Sequence, residues 1–201
     1  MMEISVDLIK KLRDATGSGI LDVKEALQNS EGDFEKAVDY LRQKGLAKAA
    51  KRSDRDASEG IVELYSHGDG RVGVIVEINC ESDFVARSDA FKEFAHNVAL
   101  QIAAAAPKWV KEDQVPDEVI EREKEIARTR YKEEGKPDNI IDKILEGMVV
   151  KFKEDNCLLS QSYIRDEDLT IQELLHEMIA SIGENIVVRR FERWERGESI
   201  D

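Results

Sequence analysis

The chain has 201 residues, which is enough for one medium domain or for a small and a larger domain. Its formal net charge is -13 at pH 7. This charge argues against a main activity based on contacts with nucleic-acid phosphates, because such affinity comes from cationic side chains that release counterions. The acidic excess lies in residues 53–201, since residues 1–52 carry ten Lys and Arg against nine Asp and Glu.

The first residues lack the uninterrupted apolar stretch of a signal peptide, and no run approaches the roughly 18 apolar residues of a membrane span. We therefore expect a cytoplasmic protein. Cys80 and Cys157 have no CxxC spacing, and the histidines at 67, 96 and 176 are scattered. These spacings support neither a disulfide framework nor a zinc site, so we expect two buried thiols.

The N-terminal quarter of the chain predicts three short helices. Ser5 is a suitable N-cap for the first helix, which ends near Gly17. The second helix covers about 20–28. The third begins near Asp33 and is expected to end at Gly45, where glycine would adopt the left-handed conformation. These helices would form a compact three-helix bundle.

A basic, partly helical linker is expected at 46–58. The following segment predicts a β-hairpin, because two runs of β-branched and apolar residues flank the turn at 67–70. A helix is then expected at 89–105, with Phe and Ala residues on its apolar side. Pro107 ends this helix.

The rest of the chain predicts a helical hairpin, a further helix and a final strand. The hairpin helices cover 117–134 and 137–155, with apolar residues at three- and four-residue intervals in the second. Thr170 and Glu173 have capping-box spacing at the start of the next helix. The segment ENIVVRRFERW (184–194) reads as a strand that joins the first two.

These elements predict an α+β fold. It combines an N-terminal three-helix bundle with a three-stranded antiparallel sheet packed against helices, and the helical hairpin at 117–155 is inserted into the second part. We place the domains at 1–52, including the basic linker, and at 53–201.

The sequence contains neither GxSxG nor GxxxxGK[ST], the motifs of two large classes of enzyme. The glycines at 68, 70 and 73 lie where a turn enters a strand, whereas a phosphate-binding loop runs from a strand into a helix. A binding protein is therefore favoured over an enzyme. A small hydrolase using His67 or His96 is an alternative, although neither has a nucleophile at motif spacing.

The segment CESDFVARSD (80–89) lies where a predicted strand gives way to a predicted helix. In one interpretation, Ser82 or Asp83 caps the following turn while Phe84 packs inside as an anchor between strand and helix. In the other, a rigid junction presents Asp83 and Phe84 outward, into a pocket of a partner. The two interpretations predict opposite exposure for Phe84.

The segment NCESDFVAR (79–87) resembles a signature of the elongation factor Ts family, the guanine-nucleotide exchange factors of elongation factor Tu. The usual form is NC-x-TDFVA, and Ser82 stands here in place of threonine. The segment LIKKLRDATGSGILDVKEAL (8–27) is similar to the family's other signature, with Ser18 where alanine is common and Val23 where cysteine is frequent.

Two further segments, YSHGDGRVGVIVE (65–77) and GENIVVRRFERWERGE (183–198), also resemble the family. The resemblance covers nearly the whole chain in the same order. The chain resembles the short form of the family, which has one core subdomain in place of two.

The resemblance implies that the N-terminal bundle is ubiquitin-associated-like and that its first loop, TGSGIL (16–21), contacts the GTPase. The adjacent residues Ile20 and Leu21 fit this, because neighbours on a helix point about 100° apart and a small bundle cannot easily bury both. We expect one of the two to lie in the core and the other to contact the partner.

The resemblance also implies a set of partner-binding residues on the core domain and the bundle. Three of these residues have an ordinary alternative role. Arg13 and Lys24 could be solvated charges, and His67 could be an exposed turn residue. The set is Ser82, Asp83, Phe84, Val85, Arg13, Ile20, Leu21, Lys24 and His67.

The mechanism implied by the resemblance is displacement without covalent chemistry. Asp83 and Phe84 would enter beside the switch region of the GTPase, shift the groups that hold magnesium, and let GDP leave. The chain itself would need no metal or nucleotide, and no catalytic residue. Binding of the factor and binding of GDP must then weaken each other equally.

The resemblance further implies a homodimer formed through the sheet domain, giving a two-to-two complex with elongation factor Tu. Some relatives carry a cysteine in the last strand that bridges the dimer, whereas Glu192 occupies that place here, so we do not expect a covalent dimer. The alternative function is a ubiquitin-associated-type dimeric adaptor without exchange activity.

Overall fold

The computed structural model describes residues 4–199, so the outer limits of the two predicted domains, residues 1 and 201, lie outside the described residues. The helices and strands follow one another along the chain as α1 (Val6–Thr16), α2 (Ile20–Asn29), α3 (Phe34–Ala50), β1 (Glu59–His67), β2 (Val72–Cys80), α4 (Asp83–Ala86), α5 (Asp89–Ala105), α6 (Asp117–Glu133), α7 (Asp138–Asn156), β3 (Ser162–Tyr163), β4 (Asp166–Thr170), α8 (Ile171–Ile182) and β5 (Ile186–Glu195).

Helices α1, α2 and α3 form the predicted three-helix bundle around a small apolar core. The Ser5 hydroxyl caps α1 by accepting a hydrogen bond from the Leu8 N–H at 3.2 Å, and Gly17 ends it in the left-handed conformation at φ 61°. The Asp33 carboxylate caps α3 in the same way. The buried residues of this core are Leu12, Val23, Ala26, Leu27, Ala37 and Leu41.

Helix α3 does not end at Gly45, and this prediction was wrong. The helix continues to Ala50, so the first part of the predicted linker is helical. A Cβ at Gly45 would lie 3.5 Å from the Cβ of Ala180 on α8, which is an ordinary van der Waals distance. Helix α3 therefore packs against α8 at this position, and the contact joins the bundle to the sheet region.

The predicted hairpin and the predicted third strand form one antiparallel sheet in the order β1-β2-β5. Glu59 lies opposite Cys80, and Cys80 in turn lies opposite Ile186. Alternation along β2 directs Val74, Val76 and Ile78 inward, where they pack in the main core with α5 and α8. The main apolar residues that α5 contributes are Phe91, Phe94, Val98 and Ile102.

Helices α6 and α7 form the predicted helical hairpin. Gly135 turns the chain at φ 74°, and Pro137 is the N-cap of α7 rather than its first helical residue. Ala127 packs against Ile141 and Leu145 in a cluster separate from the main core. The short β3-β4 hairpin that follows was not predicted.

The helix predicted from the capping box is present as α8. The Thr170 hydroxyl accepts a hydrogen bond from the Glu173 N–H at 3.1 Å, and the Glu173 carboxylate accepts one from the Thr170 N–H at 2.8 Å. Gly183 ends the helix at φ 87°. This places the short loop from Gly183 to Asn185 directly before the edge strand β5.

Across residues 4–199, none of the helices combines the length and the apolar character needed to cross a membrane.

Candidate partner-binding site

The junction after β2 forms α4, a single helical turn that presents one aromatic side chain to solvent. Val85 and Ala86 are 8% and 5% exposed and pack into the main core, whereas Phe84 is 81% exposed. The Ser82 hydroxyl caps the turn by accepting a hydrogen bond from the Val85 N–H at 3.3 Å. The interpretation in which Phe84 is an internal anchor is therefore wrong. The ring projects from a turn that Val85 and Ala86 attach to the main core.

Asp83 lies beside Phe84 and is also exposed. Its carboxylate pairs with the Arg87 guanidinium at 2.9 Å, and both side chains are largely in solvent. Exposed pairs of this kind contribute about 0–1 kcal/mol, so the carboxylate can change partners at low cost. The turn thus offers an apolar ring and an exchangeable negative charge side by side.

Two other predicted members of this site, Ser82 and Val85, make contacts within the chain itself. Val85 is 8% exposed, so in this conformation its side chain anchors the turn to the main core, and its assignment as a contact residue stays a prediction. The hydroxyl of Ser82 is engaged with the Val85 N–H and with the Glu184 carboxylate. Both residues hold Phe84 in place.

The first loop of the bundle exposes both members of the adjacent apolar pair. Ile20 is 50% and Leu21 is 78% exposed, so the expectation that one of them lies in the core was wrong. The inner face of α2 is already occupied by Val23, Ala26 and Leu27, which lie further along the helix. Two exposed apolar residues therefore lie side by side in the first turn of α2.

The charged residues predicted beside this loop are exposed. Arg13 lies in the last turn of α1 and Lys24 lies on α2, and both point into solvent. The loop is tied to α8 because the Ser181 hydroxyl donates a hydrogen bond to the Gly17 carbonyl at 3.1 Å. The loop is thereby attached to the same helix that leads to the Gly183–Asn185 segment.

His67 lies exposed at the end of β1, and His96 lies on α5. The Tyr65 hydroxyl is 2.9 Å from Nδ1 of His67, and Nδ1 of His96 is 3.2 Å from the Glu63 carboxylate. Neither neighbour is the serine, cysteine or threonine that a histidine base usually activates. The geometry therefore adds nothing to the hydrolase alternative.

Cys80 and Cys157 are both buried and free. Burial raises the pKa of each thiol, and the nearby Glu184 carboxylate raises the pKa of Cys80 further. A thiol with a raised pKa is a poor nucleophile and a poor metal ligand at neutral pH. Among residues 4–199, no group of three or more His, Cys, Asp or Glu is arranged to hold a metal ion.

The outer face of the sheet carries a second exposed apolar surface. Leu64 on β1 lies opposite Ile75 on β2, and Trp194 on β5 lies opposite Gly73. Val62 on β1 is exposed as well. The exposed fractions are 72% for Leu64, 43% for Ile75, 74% for Trp194 and 56% for Val62. These large apolar side chains thus lie exposed together on one face of the sheet.

One residue that contacts the α4 junction was missed from the sequence. The Glu184 carboxylate accepts hydrogen bonds from the backbone N–H groups of Glu81 and Ser82, each at 3.1 Å. The partners are separated by more than a hundred positions, so no local spacing could have paired them. The only signal was that Glu184 lies in the segment 183–198, which resembles the family.

Comparison with known proteins identifies the family. The family model described as Elongation factor TS matches residues 45–178. An elongation factor Ts from Caldanaerobacter subterraneus subsp. tengcongensis is 56% identical over 198 residues, covering 98% of this chain and 99% of the relative. The elongation factor Ts of Carboxydothermus hydrogenoformans is 54% identical over 98% of this chain and 91% of its own length.

A third relative, the elongation factor Ts of Geobacter metallireducens, is 54% identical over 99% of this chain and 92% of its own length. The similarity therefore runs through the bundle, the α4 junction and the sheet, and through nearly the full length of each relative. On this identity and coverage, the chain belongs to the elongation factor Ts family.

Proposed function

We propose that this protein is a translation elongation factor that binds elongation factor Tu and promotes the release of GDP. The observation that carries the proposal is the exposure of Phe84, which is 81% open to solvent on a capped turn whose other apolar residues are buried. A large aromatic side chain exposed on a rigid support is typical of residues that dominate protein interfaces.

The turn would act by displacement. Phe84 would fill a pocket beside the magnesium site of the GTPase, and Asp83 would leave Arg87 to interact with the groups around the cation. The factor would bind the state of the partner from which GDP has been loosened, so binding of the factor and of GDP would oppose each other by the same free energy. No covalent step is involved, so the protein is not an enzyme, and it needs no cofactor of its own.

The N-terminal bundle would provide a second contact with the same partner. It is proposed to be a ubiquitin-associated-like domain within residues 1–52, whose first loop presents Ile20 and Leu21, flanked by Arg13 and Lys24. The exposure of both apolar residues supports this proposal. His67, at the exposed end of β1, is a further candidate contact.

The core domain, 53–201 with its inserted hairpin at 117–155, is proposed to form a homodimer. The apolar outer face of the sheet supports this, because Leu64, Ile75 and Trp194 would otherwise remain in water. A dimer would give a two-to-two complex with elongation factor Tu, without nucleic acid and in the cytoplasm. Glu192 on β5 stands where some relatives carry a bridging cysteine, so the dimer would depend on packing and not on a disulfide.

Release of GDP tests the function directly. Elongation factor Tu loaded with a fluorescent GDP analogue is mixed with excess unlabelled GDP, with and without this protein, and the loss of fluorescence is followed. We expect release to accelerate with increasing protein concentration. No acceleration at micromolar protein would refute the exchange function. Equal affinity for GDP-bound and nucleotide-free elongation factor Tu would instead support the adaptor alternative.

A further inference from the structure

Glu184 lies in the loop between α8 and β5 and makes three hydrogen bonds to the junction that carries Phe84. One carboxylate oxygen accepts the backbone N–H groups of Glu81 and Ser82, each at 3.1 Å. The other oxygen accepts the Ser82 hydroxyl at 2.6 Å. A single side chain therefore binds the two residues that directly precede α4.

The contact is reciprocal. The Glu81 carboxylate accepts the Asn185 N–H at 2.6 Å and is 3.4 Å from the Arg55 guanidinium. The buried Asn185 amide, in turn, donates hydrogen bonds to the carbonyl groups of Ser53 and Arg55 at 3.4 and 2.8 Å. The α8–β5 loop thus joins the α4 junction to the segment that leads from the bundle into β1.

Helix α4 has only four residues, which is too short to be stable from its own backbone hydrogen bonds. Its orientation must come from its buried residues and from its N-cap, Ser82. The Ser82 hydroxyl can accept the Val85 N–H only when its own proton points elsewhere. The Ser82 hydroxyl donates a hydrogen bond to the Glu184 carboxylate, which directs the lone pairs of the Ser82 oxygen toward the Val85 N–H.

We propose that Glu184 is a positioning residue for nucleotide exchange. By holding Ser82 and the backbone before it, Glu184 keeps Asp83 and Phe84 in the projecting orientation before any partner is bound. Bonds to an ionised carboxylate are stronger than bonds between neutral groups, which suits a support for a single exposed turn. This proposal rests on the exchange function proposed above, and it adds a residue that acts through Ser82.

Loss of this support should reduce the fraction of molecules in which the turn is ready to insert. The apparent affinity for the inserted state falls in proportion to that fraction. We expect Glu184→Ala to lower the maximal rate of GDP release by about 10- to 100-fold. The protein concentration that gives half of the maximal rate should change much less, because Ile20 and Leu21 remain exposed for docking.

Glu184→Gln provides the conservative comparison. The amide oxygen can still accept hydrogen bonds from the backbone, but the charge and one acceptor oxygen are lost. We expect this variant to recover most of the rate that Glu184→Ala loses. Glu146→Ala is the matched control, because Glu146 is exposed in the middle of α7 and its side chain has no hydrogen bond or ion pair within the described residues.

Amide hydrogen exchange of the protein alone separates this proposal from the exchange function. In Glu184→Ala we expect faster exchange at residues 81–88 and unchanged protection in β1 and β2. This local signature needs no elongation factor Tu. Failure of the wild-type protein to release GDP would refute the exchange function, whereas unchanged amide exchange at 81–88 would overturn the positioning role.

Three other results would also count against Glu184. Release at the wild-type rate by Glu184→Ala would overturn the proposal, as would amide exchange that rises equally throughout the sheet, since that indicates general destabilisation. If Glu184→Ala does not fold, Ser82→Ala carries the test, because it removes the hydroxyl through which Glu184 acts. It would then have to show local loosening at 81–88 and slower release, and the absence of either effect would overturn the proposal.

Discussion

Replacing Phe84 with alanine removes the exposed ring from the α4 turn and leaves the buried residues of that turn in place. Because the side chain is 81% exposed, the change should alter the free energy of unfolding by no more than about 0.5 kcal/mol. With roughly 2–4 °C per kcal/mol for a chain of this size, the melting temperature should move by about 2 °C or less. Any larger effect on activity then reports on binding.

The expected loss of binding free energy can be calculated from the exposed area of the Phe84 side chain. An aromatic side chain buries roughly 150–250 Å² when it is covered. At about 25 cal/mol per Å², covering the four-fifths of Phe84 that is exposed is worth roughly 3–5 kcal/mol. A loss of about 3 kcal/mol in the transition state for release corresponds to more than roughly 100-fold in rate.

The assay is the fluorescent GDP release experiment, analysed as the slope of release rate against protein concentration. Ile126→Ala is the control, because Ile126 is 56% exposed on α6 and is likewise a surface apolar residue. We expect the control to keep the wild-type slope. A Phe84→Ala slope within about threefold of wild type would refute the reasoning, and so would a large fall in melting temperature.

Three further predictions concern other parts of the chain. Trp194→Asp should convert a dimer into a monomer in sedimentation equilibrium, since the charge would lie on the outer sheet face, and an unchanged mass would contradict the proposed interface. Gly60→Ala should destabilise the protein by more than about 1 kcal/mol, because Gly60 has φ 145° and an added Cβ would collide with the Ile78 carbonyl. Gly147→Ala on α7 is the contrast, because its Cβ meets no atom within 4 Å and the change should stabilise the protein by about 0.5–1 kcal/mol. Equal denaturation midpoints for the two variants would reject this prediction. The hydrogen bonds from Thr170 lower the pKa of Glu173 in the folded protein below its ordinary value of 4.5. The ionised carboxylate therefore stabilises the fold above pH 4.5, and this stabilisation is lost as the pH falls through the lower pKa of the folded state. The stability difference between wild type and Glu173→Gln should therefore shrink between about pH 6 and pH 3 in urea titrations, and a difference that grew on acidification would show the opposite sign.

The capped starts of α1 and α8 were predictable because they depend on residues three or four positions apart. Ser5 caps α1, and Thr170 with Glu173 caps α8, as their spacing indicated. The β-hairpin was equally local, since its turn and its alternating apolar residues lie within one short segment. Short-range hydrogen bonds and periodicity can be read without knowing what packs nearby.

The errors came from positions whose role depends on distant neighbours. Glycine commonly ends helices, but α3 continues past Gly45 and packs there against Ala180 of α8. Ile20 and Leu21 are both exposed because residues further along α2 already fill the bundle core.

The sequence by itself determined most of the local elements, the antiparallel hairpin and the motifs by which the chain resembles its family. These depend on interactions within one element or between adjacent elements. Only the tertiary structure decided that Phe84 projects into solvent and that Glu184 holds the turn beneath it, through hydrogen bonds between segments far apart in the chain. Exposure and long-range hydrogen bonding depend on which surfaces meet when the chain folds, and the spacing of residues along the chain does not encode them locally.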